Sequence, residues 1–165
     1  MRRFLPILLF CFSGWLWACD ASTGTRGLAQ NAFGVELTTH LGDNQSFKAG
    51  DRIQFLLTLH QPAYVYMFYQ DAGGQITQLV PNDFQPDNWF PEDFFMSVPK
   101  PDSPFEFVVG QPFGREVVQV LAVEKPISVP DHGGSLPALV NQLQLQAKQL
   151  GLQHGCAQVA LTTSD

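Results

Sequence analysis

From Gly34 onward the chain alternates short apolar runs with turn residues. Residues 35–41, VELTTHL, set Val35, Leu37 and Thr39 against Glu36, Thr38 and His40, the two-residue period of a half-buried strand. FKAGD (47–51) supplies a turn. RIQFLLTLH (52–60) then runs through Ile53, Phe55, Leu57 and Leu59 until Gln61-Pro62 breaks it. YVYMFYQ (64–70) and QITQLV (75–80) flank Asp71-Ala72-Gly73-Gly74, a hairpin connection in which either glycine suits a positive φ. FFMSV (94–98), FEFVVG (105–110), EVVQVLAV (116–123) and CAQVALT (156–162) follow, punctuated by Pro99, Pro101, Pro104, Pro112 and Gly114.

One strand differs from the rest. In 64–70, Tyr64, Tyr66 and Phe68 point one way and Val65, Met67 and Tyr69 the other, so both faces are apolar. Such a strand is central in its sheet and covered on both sides. One face meets an opposing sheet. The other needs a second cover, and SLPALVNQLQLQAKQLGL (135–152) supplies it. Ser135 caps a helix, Pro137 sits in the first turn, and Gly151 suits the position after the last turn. Leu136, Leu139, Val140, Leu143, Ala147 and Leu150 form one stripe at the helical period, with Leu145 opposite and exposed. The prediction is a mainly β fold: an antiparallel β-sandwich of about eight strands, with one C-terminal amphipathic helix packed on it, in a single domain over 34–163.

The first 33 residues lie outside that pattern. Arg2 and Arg3 precede an uncharged apolar run from Phe4 to Trp17, too short to span a bilayer and typical of a secretory signal over 1–18. Leu16-Trp17-Ala18-Cys19 looks like a bacterial lipobox, with Trp17 where a small residue is usual. On that reading Cys19 receives lipid and becomes the mature N-terminus, anchoring the protein by acyl chains such as palmitate. Asp20 resembles an inner-membrane retention signal. Residues 19–33 read as a flexible tether of small and polar residues, reaching about 20 Å root-mean-square. The competing reading is ordinary cleavage, which frees Cys19 to pair with Cys156 in the oxidising periplasm. The chain's third cysteine, Cys11, lies within the signal, so the two readings assign Cys156 opposite states.

Composition then removes partner classes. The chain carries nine Lys and Arg against 15 Asp and Glu, a net charge of −6. Losing Arg2 and Arg3 leaves seven basic residues against the same 15 acids, or −8. An acidic domain gains nothing electrostatically from nucleic acid or anionic headgroups.

Catalytic patterns are not found. His40, His60, His132 and His154 are scattered, with no ligand spacing, and no C-x-x-C pair exists. Gly133–Pro137 is not a nucleophile elbow, and no glycine set forms a phosphate cradle. Asn82, Asp83, Asp87, Asn88, Glu92 and Asp93 crowd one loop without the calcium-loop pattern, which makes them a polar turn. No catalytic residue, metal or cofactor is predicted. The same loop, 82–92, carries Phe84, Trp89 and Phe90 with no strand or helix period to bury them. These three are the candidate partner-binding residues, and the competing reading is that Trp89 and Phe90 fold back as a plug over the end of the sandwich.

The order of turns and aromatics also resembles a known family. A turn with Phe47, Gly50 and Asp51 leads into a strand with Tyr64, Tyr66 and Phe68. A glycine hairpin and Leu79, Val80, Pro81 and Asn82 follow, then Asn88, Pro99, Pro112, Gly114 and Glu116. Over residues 47–126 this resembles the bacterial domain of unknown function family 4384, with Val80 in place of the usual Phe and Pro91-Glu92 where a glycine commonly follows the Asn. Members occur as exported lipoproteins and as modules joined to caspase-like peptidases or kinases. The resemblance implies an accessory or recognition module with no assigned active site. The expectation is therefore a non-enzymatic, membrane-tethered envelope lipoprotein that binds another envelope protein. The alternative is a glycan-binding or hydrolytic periplasmic domain using the 82–93 loop.

Overall fold

The computed structural model describes residues 33–43, 45–92, 94–131 and 134–165, without the side chain of Phe94. The signal over 1–18, the lipidation of Cys19 and the tether as far as residue 32 lie outside the described residues. The tether's last residue, Phe33, is buried and belongs to the core of the folded domain.

The chain is mainly β, as predicted. Among the described residues the strands are β1 (Val35–Thr39), β2 (Ser46–Lys48), β3 (Arg52–Ile53), β4 (Phe55–Leu59), β5 (Ala63–Gln70), β6 (Ile76–Val80), β7 (Trp89–Phe90), β8 (Phe94–Val98), β9 (Phe107–Val108), β10 (Arg115–Val123) and β11 (His154–Ser164). The helix α1 (Leu136–Gln149) lies between β10 and β11. A three-stranded sheet runs β1-β4-β8. A six-stranded sheet runs β2-β11-β10-β5-β6, with β7 also on β5, and β3-β9 is a separate pair. All pairings are antiparallel except that of β11 with β2. The count exceeds the expected eight because Ser46–Lys48 and Trp89–Phe90 form short strands where a turn and a loop were expected, and the predicted 52–60 strand is broken into β3 and β4.

Two cores flank the large sheet. Val65 and Met67 of β5, with Val118, Val120 and Ala122 of β10, face Leu57, Leu59, Met96 and Val98 of the small sheet in the sandwich core. Tyr66 and Phe68 face the other way and pack with Leu121, Val123 and the helix residues Leu136, Leu139, Val140, Leu143 and Ala147. The order of layers is small sheet, large sheet, helix. The two-sided apolar pattern of β5 has this cause: it is a central strand between two covers.

The ends of α1 are built as the sequence predicts. Ser135 has extended backbone and its Oγ accepts from Ala138 N at 3.4 Å. At the other end Gly151, at φ 68, lets Leu152 N donate to Ala147 O and Gly151 N to Lys148 O, two bonds that satisfy the last carbonyls. Leu145 is exposed as expected. Leu150 is exposed too, which corrects its place on the buried stripe. It is the C-cap residue, and the backbone turns away from the core there.

Between β5 and β6 the hairpin is held by Asp71, whose N donates to Gln75 O at 3.0 Å and whose Oδ1 accepts from Gln75 N at 2.8 Å. Gly74, at φ 88, takes the left-handed position.

Candidate recognition site

The segment from Pro81 to Glu92 is built around Asn82. Its Oδ1 accepts from Phe84 N at 2.9 Å and Gln85 N at 2.8 Å, while its Nδ2 donates to Leu79 O at 2.7 Å. Pro81 O accepts from Gln78 Nε2 at 2.8 Å. Pro81-Asn82 is therefore the stop of β6 and the start of a tight turn, made by an Asn side chain bonding its own backbone. Asn88 does similar work further on: Val65 N donates to its carbonyl at 2.8 Å, and its Nδ2 donates to Val65 O at 3.1 Å. That staple brings the next two residues onto β5 as the strand β7.

The three predicted binding residues go to three different places. Phe84 stands 66% exposed at the tip of the Asn82 turn. Trp89 is 48% exposed and lies opposite Tyr64, whose side chain packs on the helix-side core. Phe90 is 5% exposed, opposite Ala63, and belongs to the sandwich core. Phe90 is therefore corrected from a binding residue to a core residue. Adjacent strand residues face opposite sides, so pairing with β5 turns Phe90 inward as it turns Trp89 outward. Asp87 Oδ1 accepts from Trp89 N at 3.0 Å, which assigns that acid to the turn.

Phe84 has aromatic neighbours that the sequence did not connect to it. Its ring lies 5.4 Å from Phe105, Phe105 lies 5.5 Å edge-on to Phe107, and Phe107 lies 5.8 Å from Phe55. Phe55 is buried in β4. The four rings run from the sandwich core to solvent, and each successive pair is within the range of favourable aromatic contact. A cleft of about 260 Å³ borders the inner end, lined by His40, Arg52, Gln54, Pro99, Glu106 and Phe107 among others. Arg52 Nε donates to Glu106 Oε2 across it at 2.8 Å, with both side chains more than half exposed. Such a pair contributes little to stability. What the ridge and cleft offer chemically is an apolar contact face with a polar border.

A second polar cluster is buried. Glu116 Oε2 accepts from the Tyr69 hydroxyl at 2.7 Å, and Glu116 Oε1 from the Thr163 hydroxyl at 2.9 Å. Gly114 N donates to Thr163 Oγ1 at 3.0 Å. Burial, followed by the bond to Glu116, holds the Tyr69 hydroxyl protonated well above the ordinary tyrosine range. The cluster joins β5, β10 and β11 where the sheet would otherwise bury an unpartnered acid. Among the described residues no group of three His, Cys, Asp or Glu side chains gathers as a metal site.

Cys156 sits half-buried against the helix-side core, accepts from Gln144 Nε2 at 3.2 Å, and is disulfide-bonded. The chain's other cysteines, Cys11 and Cys19, lie outside the described residues.

The architecture defines a class, a β-sandwich with a helix on the outer face of its larger sheet and a buried Tyr-Glu-Thr cluster. Residues 46–126, just under half of the chain, match the family described as Domain of unknown function (DUF4384). The match takes in the turn after β2, the β5-β6 hairpin, the Asn82 turn, the aromatic ridge and all of β10. No curated protein and no solved structure matches the chain.

Proposed function

We propose that this chain is a non-enzymatic recognition module of the bacterial cell envelope that binds another envelope protein through the Phe84 ridge. The observation that carries the reading is Phe84 itself. It is a large aromatic left 66% exposed, yet held in place by the Asn82 turn and by a ring chain rooted in the core. Rigid, exposed aromatics beside polar groups match the profile of a protein hot spot. The acidic charge supports a protein partner over nucleic acid.

Export is supported by the signal-like first 18 residues and by the disulfide at Cys156, since such bonds persist in oxidising compartments. The lipobox-like stretch ending at Cys19 supports a lipid anchor, and that anchor requires Cys156 to pair with a thiol other than Cys19. A Cys19–Cys156 bond supports export without lipid. Intact mass and non-reducing peptide mapping of the exported protein separate the two. Acyl mass on an N-terminal Cys19 establishes the anchor, and a 19–156 linked peptide rules it out.

The alternative reading is a glycan-binding or hydrolytic domain using the 82–93 loop, and Trp89 favours it. That ring is half-exposed next to Asp87 and suits stacking on a saccharide. Affinity capture from solubilised envelope, run beside sedimentation with peptidoglycan, tests both. The protein reading predicts that Phe84→Ala abolishes capture of one defined polypeptide while Trp89→Ala leaves it intact. Sedimentation with peptidoglycan that depends on Trp89 contradicts it.

A further inference from the structure

β8 ends the three-stranded sheet. It pairs with β4 over five consecutive residues without a shift in register, and no strand among the described residues pairs with its other side. Natural proteins blunt such edges with charges, prolines or bulges. β8 reads Phe-Phe-Met-Ser-Val and has none of these. Met96 and Val98 are buried in the sandwich core, so the intervening Phe95 and Ser97 face outward, and Phe95 is 62% exposed. An unblunted, uncharged edge beside an exposed aromatic is a strand-pairing surface.

The order of residues selects the partner. In an antiparallel pair, directly opposite residues share a face of the sheet. A second copy of β8 can therefore join only in registers that set outward residues against outward ones. Of these, the register centred on Met96 pairs all five residues, with residue 94 opposite 98 and 95 opposite 97. It places each exposed Phe95 over the small Ser97 of the other copy, twice, about a two-fold axis. A register shifted by one residue would turn one copy's core face to solvent. With no charge on β8, the acidity of the chain is not concentrated at this seam. We infer that β8 pairs with β8 of a second copy, joining two three-stranded sheets into one six-stranded sheet in a symmetric dimer.

Sedimentation equilibrium of the purified chain tests this. The expected result is a dimer mass that falls towards monomer on dilution. The double change Phe95→Lys with Ser97→Lys sets lysines opposite each other and is expected to give a monomer with unchanged circular dichroism and thermal midpoint. Mixing it with Phe95→Glu, Ser97→Glu should restore a dimer containing one copy of each. If the lysine variant does not fold, amide hydrogen exchange of the wild type decides. Protection of β8 amides that is lost on dilution supports the pairing. A wild type that is monomeric at every accessible concentration overturns the inference, as does a folded lysine variant that still dimerises or β8 exchange that is independent of concentration.

Discussion

The Tyr69 hydroxyl donates to Glu116 at 2.7 Å, and Glu116 is only 4% exposed. With the Thr163 hydroxyl on its other oxygen, this carboxylate is satisfied by two neutral donors and, among the described residues, by no cation. The arrangement favours un-ionised Tyr69 in the folded state. Unfolded, the phenol titrates near its ordinary value of 10.0. Between that pH and the higher folded value the unfolded chain binds fewer protons than the folded one, so stability falls as pH rises. The expected outcome is full stability below pH 10 and a progressive loss above it, read by urea midpoints across an alkaline series. Tyr69→Phe should flatten that alkaline loss. Glu116→Ala should cost about 1–3 kcal/mol at neutral pH by orphaning its donors.

Phe68 and Met67 are neighbours in β5 that serve different cores. Phe68 is fully buried under α1. Phe68→Ala should cost about 3–5 kcal/mol and Met67→Ala about 2–5 kcal/mol. Denaturant titration checks both. A cheap truncation at either position would contradict a sheet covered on both faces.

Trp89 and Phe90 should separate as sharply as their exposures do. Phe90→Ala should cost about 3–5 kcal/mol, as large aromatic deletions in cores do. Trp89→Ala should lower the thermal midpoint by much less. Calorimetry of the two single variants gives the answer directly.

Much of the fold was legible because its signals are local. The alternation in 64–70 places apolar residues on both faces, and Ser135, Pro137 and Gly151 bracket the helix by capping chemistry that any context preserves. What sequence did not reveal depends on pairing across the chain. Phe90 is buried because Asn88 staples its segment to Val65, a contact 23 positions away. Phe84 gains its aromatic neighbours through Phe105, from a stretch separated by the whole of β8. Glu116 carried a partial signal, since its parity with Val118, Val120 and Ala122 puts it on the sandwich face, but nothing nearby names Tyr69 or Thr163 as its donors. Leu150 misled because a periodic stripe continues in sequence past the residue where the helix stops.

The most direct test of the recognition reading is photo-crosslinking from defined positions in intact envelopes. A benzophenone amino acid at Phe84 should give one discrete adduct with an envelope polypeptide. The same probe at Leu145, an exposed apolar residue on the outer face of α1, should give none. The Phe84 adduct should be lost when Phe105→Ala removes the ring supporting the probe, while the melting temperature stays within a few degrees. Equal labelling from Leu145, or no adduct from position 84 in a correctly exported protein, would contradict the account.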